Sequence, residues 1–249
     1  MAAPRLRFLH RARTMTFDEL QRRLAEVPAR HKEVSVIASL DDEPARPSAR
    51  LLDIALRAAS AAREIALTVY DGRTSSEPHW FDTWPGEHYR LLAALVRTLK
   101  PMRVVEIGTF TGMGTLALAQ ELPAGGSVTT FDLHPWHGFE QTWLAPADFE
   151  QGRVRQLLHD ISAPGGIEAH RALFEAADLV FVDGPKDGHT EARMLDNLAT
   201  LNLPAHALVV FDDIRVMNMV ATWRRIARPK LDLTSFGHWS GTGLIDWNA

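Results

Sequence analysis

The stretch that decides the fold is VVEIGTFTGMGT, at residues 104–115. It begins as a short apolar run, which is typical of a strand buried on both faces of a parallel sheet. It continues as a turn in which Gly108, Gly112 and Gly114 allow a sharp bend and a close approach to a ligand. A helical segment, GTLALAQEL, completes it. The stretch therefore predicts a strand, a ligand-binding turn and a helix in succession.

The same alternation of apolar runs and helical segments continues toward the C-terminus. Strand candidates occupy residues 103–107, 127–132, 153–158, 178–183 and 207–212. Strand–helix alternation implies right-handed crossovers and a doubly wound α/β fold with helices on both faces of a parallel sheet. Two last runs, KLDLTSF and TGLIDW, flank the short loop GHWSG and predict an antiparallel hairpin at the sheet edge.

The N-terminal part of the chain has a different pattern, dominated by helices. One helix is predicted over FDELQRRLAEV and another over ARLLDIALRAASAAREIAL, with Ser48 as its N-cap. A third is predicted over residues 86–99, and the polar, aromatic-rich segment before it, residues 70–86, is expected to form a lid. We therefore expect an N-terminal helical extension with a lid loop, residues 1–85, and a ligand-binding domain, residues 86–249.

Composition excludes several classes of protein. The 249 residues carry 27 Lys and Arg against 31 Asp and Glu, and no cysteine, so thiol chemistry and disulfides are excluded. A net charge of -4 argues against sequence-independent binding to nucleic acid. The apolar runs are shorter than the roughly 20 residues of a membrane span, and the basic N-terminus lacks the apolar core of a secretory signal. We expect a cytoplasmic protein that binds neither nucleic acid nor membrane.

Each of the five predicted parallel strands ends at or beside a carboxylate. The acids concerned are Glu106, Asp132, Asp160, Asp183 and Asp212. Ligands of open α/β sheets bind beyond the carboxyl ends of the strands, where the strand order reverses. A functional site is therefore predicted at this edge. An acid at the end of the second strand would suit a ribose diol, because a carboxylate accepts hydrogen bonds from both hydroxyls.

With these residues in this order, the sequence resembles class I S-adenosylmethionine-dependent methyltransferases, and among them the small O-methyltransferases. The resemblance covers about residues 86–249. It implies a Rossmann-like methyltransferase fold, a mostly parallel seven-stranded sheet with a reversed last strand, and S-adenosylmethionine as the cofactor. The residues that it implies for binding this cofactor are Glu106, Gly108, Thr109, Gly112, Gly114, Thr115, Asp132, Leu133, Asp160, Ile161 and Asp183.

The resemblance also implies a divalent metal, most simply Mg²⁺. Catechol and caffeoyl-CoA O-methyltransferases bind it through an Asp after the fourth strand and an Asp-Asn pair after the fifth. Here the positions are Asp183, Asp212 and Asp213, and three carboxylates with waters suit Mg²⁺. The alternative is that Asp212 or Asp213 caps the next helix.

The Asp-Asp pair resembles more closely the metal-dependent sugar O-methyltransferases of the macrocin and noviose type. More narrowly, the chain resembles the sugar 1-O-methyltransferases of methylmannose polysaccharide biosynthesis. This implies an acceptor hydroxyl on a small sugar or an oligosaccharide. Two alternatives stay open: a catechol or phenol acceptor, and a non-catalytic protein that only binds S-adenosylmethionine. Relatives also imply that the chain can form a homodimer.

The general base departs from the noviose-type pattern, because Pro185 stands where those enzymes have an Asp. The resemblance to the catechol enzymes instead implies Lys186 as the residue that assists deprotonation. A lysine can act as a base only if burial or a nearby cation lowers its pKa. His189 and His238 are the other catalytic candidates, although a lone histidine is more often a surface or capping residue.

Tryptophans are frequent in the loops that we expect over the carboxyl edge. They are Trp80, Trp84, Trp136, Trp143 and Trp239. A flat apolar ring beside polar groups suits stacking against a sugar ring or a phenol, and packing of the loop is the simpler alternative. Of these residues, Trp80, Trp84 and Trp239 are the candidates for contact with the acceptor.

Overall fold

The computed structural model describes residues 45–73, 88–150, 152–216, 219–236 and 240–249. Within these residues the strands are β1 (Arg103–Ile107), β2 (Ser127–Asp132), β3 (Val154–Leu158), β4 (Leu179–Val182), β5 (Leu208–Asp212), β6 (Lys230–Asp232) and β7 (Thr242–Asp246). The α-helices of the same residues are α1 (Ala49–Ala62), α2 (His88–Leu99), α3 (Met113–Gln120), α4 (Pro146–Glu150), α5 (Arg171–Phe174), α6 (Thr190–Leu198) and α7 (Met219–Arg225).

The strands form one sheet in the order β3-β2-β1-β4-β5-β7-β6. Strands β1 to β5 pair in parallel, and β7 runs antiparallel to both β5 and β6. This confirms the predicted fold class, a doubly wound sheet with a reversed last strand. The strand order reverses between β1 and β4, so the crevice in which such sheets bind ligands is expected there.

Two apolar layers cover the sheet, as the alternation of side chains along each strand requires. On one face, Val104 and Phe181 pack with apolar residues of α1, α2 and α3. On the other, Val105 and Val182 pack with residues of α5, α6 and α7. Burial of the strands on both faces is the reason for their continuous apolar sequence.

Helix α1 is tied to the sheet by its first turn. The Ser48 hydroxyl accepts a hydrogen bond from the Leu51 N–H, which confirms the predicted N-cap. The same hydroxyl donates to Asp246 of β7, and Arg50 pairs with that carboxylate at 2.6 Å. Apolar residues of α1 also belong to the core of the sheet. The division near residue 85 stays a prediction, and the helix over FDELQRRLAEV lies outside the described residues.

Two elements differ from the expected ones. The sequence IEAHRALFEAA predicts one helix, whereas the structure has a 3₁₀ turn, Glu168–His170, followed by the four residues of α5. The link between β6 and β7 is longer than five residues, because the Asp232 carboxylate accepts from the Thr234 N–H and turns the chain. Within the described ranges, no helix has the length and apolarity needed to cross a bilayer.

Candidate active site

A cavity of about 540 Å³ opens at the carboxyl ends of β1, β2, β3 and β4. We call it the strand-end cavity, and its volume lies in the range of roughly 300–1,000 Å³ that is usual for small-molecule sites. The sequence-predicted residues that line it are Gly108, Asp132, Leu133, Asp160, Ile161, Asp183 and Lys186. The tertiary structure therefore brings together acids that are up to about 50 positions apart in the sequence.

The two acids after β2 and β3 are held by hydrogen-bond donors at the cavity edge. Asp132 accepts from the backbone N–H of Phe110 at 2.8 Å and of His134 at 3.0 Å. Asp160 accepts from the Ser162 hydroxyl at 2.7 Å and its N–H at 2.8 Å. The Ser162 bonds lower the pKa of Asp160 below its ordinary value. Both side chains are thus fixed in orientation.

Glu106 lies behind the glycine-rich loop and does not line the cavity. It is 1% exposed and accepts a hydrogen bond from the Thr115 hydroxyl of α3. A Cβ on Gly114 would lie 2.5 Å from Glu106 Oε1, so this glycine permits the close packing of α3. Burial raises the pKa of Glu106 to about 8. Thr109 is also internal, at 2.8 Å from the Thr130 hydroxyl. These residues support the loop from below.

Two glycines of the loop have a steric explanation. Gly108 has a φ of +106°, and a Cβ there would lie 1.9 Å from the backbone oxygen of Asp183. Gly112 has a φ of +86° at the start of α3, where a Cβ would lie 2.3 Å from Leu144. Any other residue at Gly108 would clash with the backbone that follows β4, which is hard to move.

At the ends of β4 and β5, three carboxylates surround one ammonium group. Oxygen atoms of Asp183, Asp212 and Asp213 all lie within 4.8 Å of one another, and we call these three residues the acid cluster. Lys186 Nζ contacts Asp183 Oδ1 and lies 3.2 Å from Asp213 Oδ2 and 3.6 Å from Asp212 Oδ2. Only 13% of the Lys186 side chain is exposed.

The charges of this group shift two pKa values strongly. Burial raises the pKa of Asp183 to about 7, in spite of the neighbouring Lys186 ammonium. Burial alone would lower the pKa of Lys186, but Asp183, Asp212 and Asp213 together raise it above its ordinary value. The lowered pKa that a lysine base requires is therefore absent. In this arrangement Lys186 is a protonated cation, which disfavours it as a base, and its catalytic role stays a prediction.

The acid cluster was also predicted to hold a divalent metal. Three carboxylates are the hard oxygen ligands that Mg²⁺ prefers, so the donor set fits the ion chemically. Mg²⁺ could not bind these carboxylates while Lys186 Nζ contacts them, because both cations would occupy the same place. The described part of the next helix, α7, begins at Met219, six residues after Asp213, and both metal binding and helix capping stay predictions.

Glu191 holds the loop that carries Lys186, and sequence reasoning missed it. The side chain is fully buried, and its carboxylate accepts from the N–H of Lys186 at 2.6 Å and of Gly188 at 2.9 Å. The available signal was an acid on the apolar face of α6, in helical register with Met194 and Leu198.

Helix α2 begins beside the acid cluster. His88 is buried, and its Nδ1 lies 3.6 Å from Asp212 Oδ1 and 3.3 Å from the Thr242 hydroxyl. The next residue, Tyr89, has a pKa raised by burial first and then by Asp183. The start of α2 therefore lies beside the acid cluster.

The other predicted residues are less close to the site. His189 is exposed and does not line the strand-end cavity. Trp143 is buried, and its backbone N–H donates to the backbone oxygen of Thr111 at 2.8 Å. The residue therefore packs a loop rather than facing a substrate. Trp136 stacks on Phe149. The remaining candidates lie outside the described residues: His238, Trp80, Trp84 and Trp239.

Comparison with known proteins gives a match in the same region. Residues 105–214 match a family model described as a methyltransferase domain. Mouse catechol O-methyltransferase domain-containing protein 1 is 29% identical over 145 residues, which are 56% of this chain and 52% of the relative. Caffeoyl-CoA O-methyltransferase 1 of Zea mays is 28% identical over 123 residues, 47% of this chain and 45% of the relative. The chain thus spans about half the length of these curated relatives.

A solved structure also matches this chain, at low sequence identity. The SAH-bound methyltransferase PaMTH1 of Podospora anserina matches with a TM-score of 0.49 and 16% identity, covering 90% of this chain and 98% of that one. The family match spans the last three residues of β1 and the whole of β2 to β5, and it includes Asp132, Asp183 and Asp212. The part of the chain that forms the strand-end cavity and the acid cluster is therefore similar in sequence to methyltransferase domains.

Proposed function

We propose that this protein is an S-adenosylmethionine-dependent O-methyltransferase that acts on a hydroxyl of a small molecule. The observation that carries the proposal is the junction of two sites at Asp183, which lines the strand-end cavity and belongs to the acid cluster. A transferase needs such a junction, because donor and acceptor must meet in line. The methyltransferase-domain match and the O-methyltransferase relatives support it.

The strand-end cavity is the proposed site of the methyl donor. Asp132 would accept hydrogen bonds from the ribose hydroxyls, and Asp160 from the adenine amino group. The glycine-rich loop, with Gly108 at its start, would let the backbone approach the methionine part. When bound, S-adenosylmethionine supplies a methyl group that its sulfonium makes electrophilic. The buried Glu106 and Thr115 keep the loop in place from below.

The acid cluster is the proposed acceptor site. A group with a pKa near the working pH is the most effective proton acceptor, and Asp183, at about 7, meets this condition. We propose that a carboxylate oxygen of Asp183 would take the proton of the acceptor hydroxyl while the hydroxyl oxygen displaces S-adenosylhomocysteine from the methyl group. The Lys186 ammonium would stabilise the negative charge that develops on the acceptor oxygen. No step of this scheme requires a metal.

The finer proposals concern the acceptor and the metal. The Asp212-Asp213 pair favours a sugar or glycan hydroxyl, whereas the names of the catechol and caffeoyl-CoA relatives favour a phenolic acceptor as the second candidate. Mg²⁺, if bound by the acid cluster, would polarise the acceptor hydroxyl as a Lewis acid. A cytoplasmic location and a homodimer are further proposals, based on the cysteine-free sequence and on the resemblance.

Calorimetric titration with S-adenosylhomocysteine, the product of every such transfer, tests the core proposal. We expect binding in the micromolar range, and no binding at millimolar ligand would contradict it. A second assay would follow S-adenosylhomocysteine formation with mannosides and with catechols, each with Mg²⁺ and with a chelator. Turnover of mannosides alone would support the sugar proposal, and turnover of catechols alone would support the second candidate.

A further inference from the structure

Lys186 lies at the centre of the acid cluster rather than beside it. Its Nζ contacts Asp183 and is within 3.6 Å of a carboxylate oxygen of both Asp212 and Asp213. The three carboxylates belong to two different strand ends, yet they converge on this one group. The three carboxylates therefore give this ammonium the same negatively charged surroundings that a divalent cation would require.

The backbone around Lys186 is held by contacts that do not involve the acid cluster. Glu191 accepts from the N–H of Lys186 and of Gly188. The Thr222 hydroxyl of α7 donates to the Gly188 oxygen at 2.9 Å. A Cβ on Gly184 would lie 2.6 Å from Glu191 Oε1, so the loop passes directly over this carboxylate. The position of Lys186 is thus determined by two helices and not by its ion pairs alone.

Lys186 also has a φ of +68°, a backbone conformation that disfavours side chains with a Cβ. Such a conformation persists only where surrounding contacts impose it. Here the imposing contacts are those of Glu191. The loop therefore directs the one long cationic side chain that it carries into the acid cluster.

We propose that Lys186 is a built-in cation of the acid cluster, that a divalent metal ion can bind there only by displacing it, and that Glu191 favours the lysine-filled state. The carboxylates of Asp183, Asp212 and Asp213 are then shared ligands of two mutually exclusive cations. The inference concerns the geometry of the acid cluster and does not depend on methyl transfer.

Mn²⁺ binding to the full chain tests the competition, with the free ion measured by electron paramagnetic resonance. Lys186→Met removes the charge and keeps much of the side-chain volume, so Mn²⁺ should bind at least tenfold more tightly than to the wild type. Lys186→Arg keeps the charge and should bind as weakly as the wild type. Lys100→Met is the matched control, because Lys100 is exposed and precedes β1, at the opposite edge of the sheet.

Glu191→Gln provides a second route that keeps Lys186 itself. The substituted side chain has an amide nitrogen in place of one carboxylate oxygen, and this nitrogen cannot accept a hydrogen bond from the N–H of Lys186 or Gly188. The loop is therefore held less firmly, and Mn²⁺ affinity should rise severalfold. Thermal unfolding with and without Mn²⁺ gives an independent reading, since a bound ion raises the unfolding temperature. Equal or weaker Mn²⁺ binding by Lys186→Met, or by Glu191→Gln, would overturn the proposal. Neither measurement uses the methyl donor or its acceptor. Failure of the proposed function would therefore be detected independently, by the titration with S-adenosylhomocysteine.

Discussion

The two halves of the carboxyl edge use the same side chain in opposite ways. In the strand-end cavity, Asp132 and Asp160 are held by N–H and O–H donors, and Ser162 lowers the pKa of Asp160. In the acid cluster, Asp183 lies beside two other carboxylates, and although a third of its side chain faces the cavity, desolvation and these charges raise its pKa to about 7. The first environment suits a permanent acceptor of hydrogen bonds from a ligand. The second suits a group that takes up and releases a proton.

This difference teaches that position at a strand end does not by itself assign a role. All these acids follow parallel strands of one sheet, and only their neighbours distinguish them. The N–H groups that donate to the acids after β2 and β3 belong to residues within a few positions of each acid or to the glycine-rich loop. The acids after β4 and β5 instead share a lysine, whose backbone is held by Glu191 of the helix that follows it.

The largest effect is expected where the two halves meet. Gly108→Ala would place a Cβ 1.9 Å from the backbone oxygen of Asp183, so we expect the free energy of unfolding to fall by more than about 3 kcal/mol. Gly165→Ala is the matched control, because Gly165 also has a positive φ, +70°, but no atom within 4 Å of the added Cβ. Its cost should be about 1–2 kcal/mol. Equal costs in urea unfolding would contradict the steric explanation.

Asp183→Asn tests the proton-accepting half. The amide keeps the shape but cannot take the acceptor proton, so kcat should fall roughly 10²- to 10⁴-fold. The affinity for S-adenosylhomocysteine should fall much less, because Asp132 and Asp160 are unchanged. Asp53→Asn, on the exposed face of α1, serves as a control that should retain full turnover. Turnover of Asp183→Asn within threefold of the wild type would remove Asp183 from this role.

Asp132→Asn tests the ligand-holding half. Loss of a charged acceptor for the ribose hydroxyls should weaken S-adenosylhomocysteine binding about 10- to 100-fold, the usual cost of a hydrogen bond to a charged group. The KM for the acceptor should stay unchanged, which would separate this half from the acid cluster. Calorimetry measures the first effect and steady-state kinetics the second. An unchanged affinity would show that the cavity binds its ligand without Asp132.

The last prediction concerns Glu106, which lies beneath both halves and whose effect on stability is spread over a range of pH. Its pKa is raised from 4.5 to about 8 by burial, so between these pH values the folded protein keeps a proton that the unfolded chain releases. Stability from this group therefore falls as pH rises through that window, by up to about 1.4 kcal/mol per pH unit. Urea unfolding of the wild type and Glu106→Gln from pH 5 to 8 would measure it. A constant difference between the two would contradict the shift.

Much of this architecture could be predicted from the sequence because the relevant signals are local. The apolar runs predicted all five parallel strands, and Ser48 predicted the start of α1. The acids at the strand ends were predicted as a group because parallel strands must present their carboxyl ends at one edge. The length of α5 was not predicted, since apolar periodicity does not show where tertiary packing ends a helix.

The environment of each acid was decided only by the tertiary structure. The sequence determined that Lys186 follows Asp183 by three residues, and the resemblance to the catechol enzymes implied that it acts as a base. The fold then placed Asp212 and Asp213 around the same ammonium, which raises its pKa. Strands, turns and caps depend on residues a few positions apart, whereas a pKa depends on every charge within several ångströms, wherever it lies in the chain. The sequence thus determined the sheet and its acidic edge, and the tertiary structure determined which acids are fixed by hydrogen-bond donors and which share a cation.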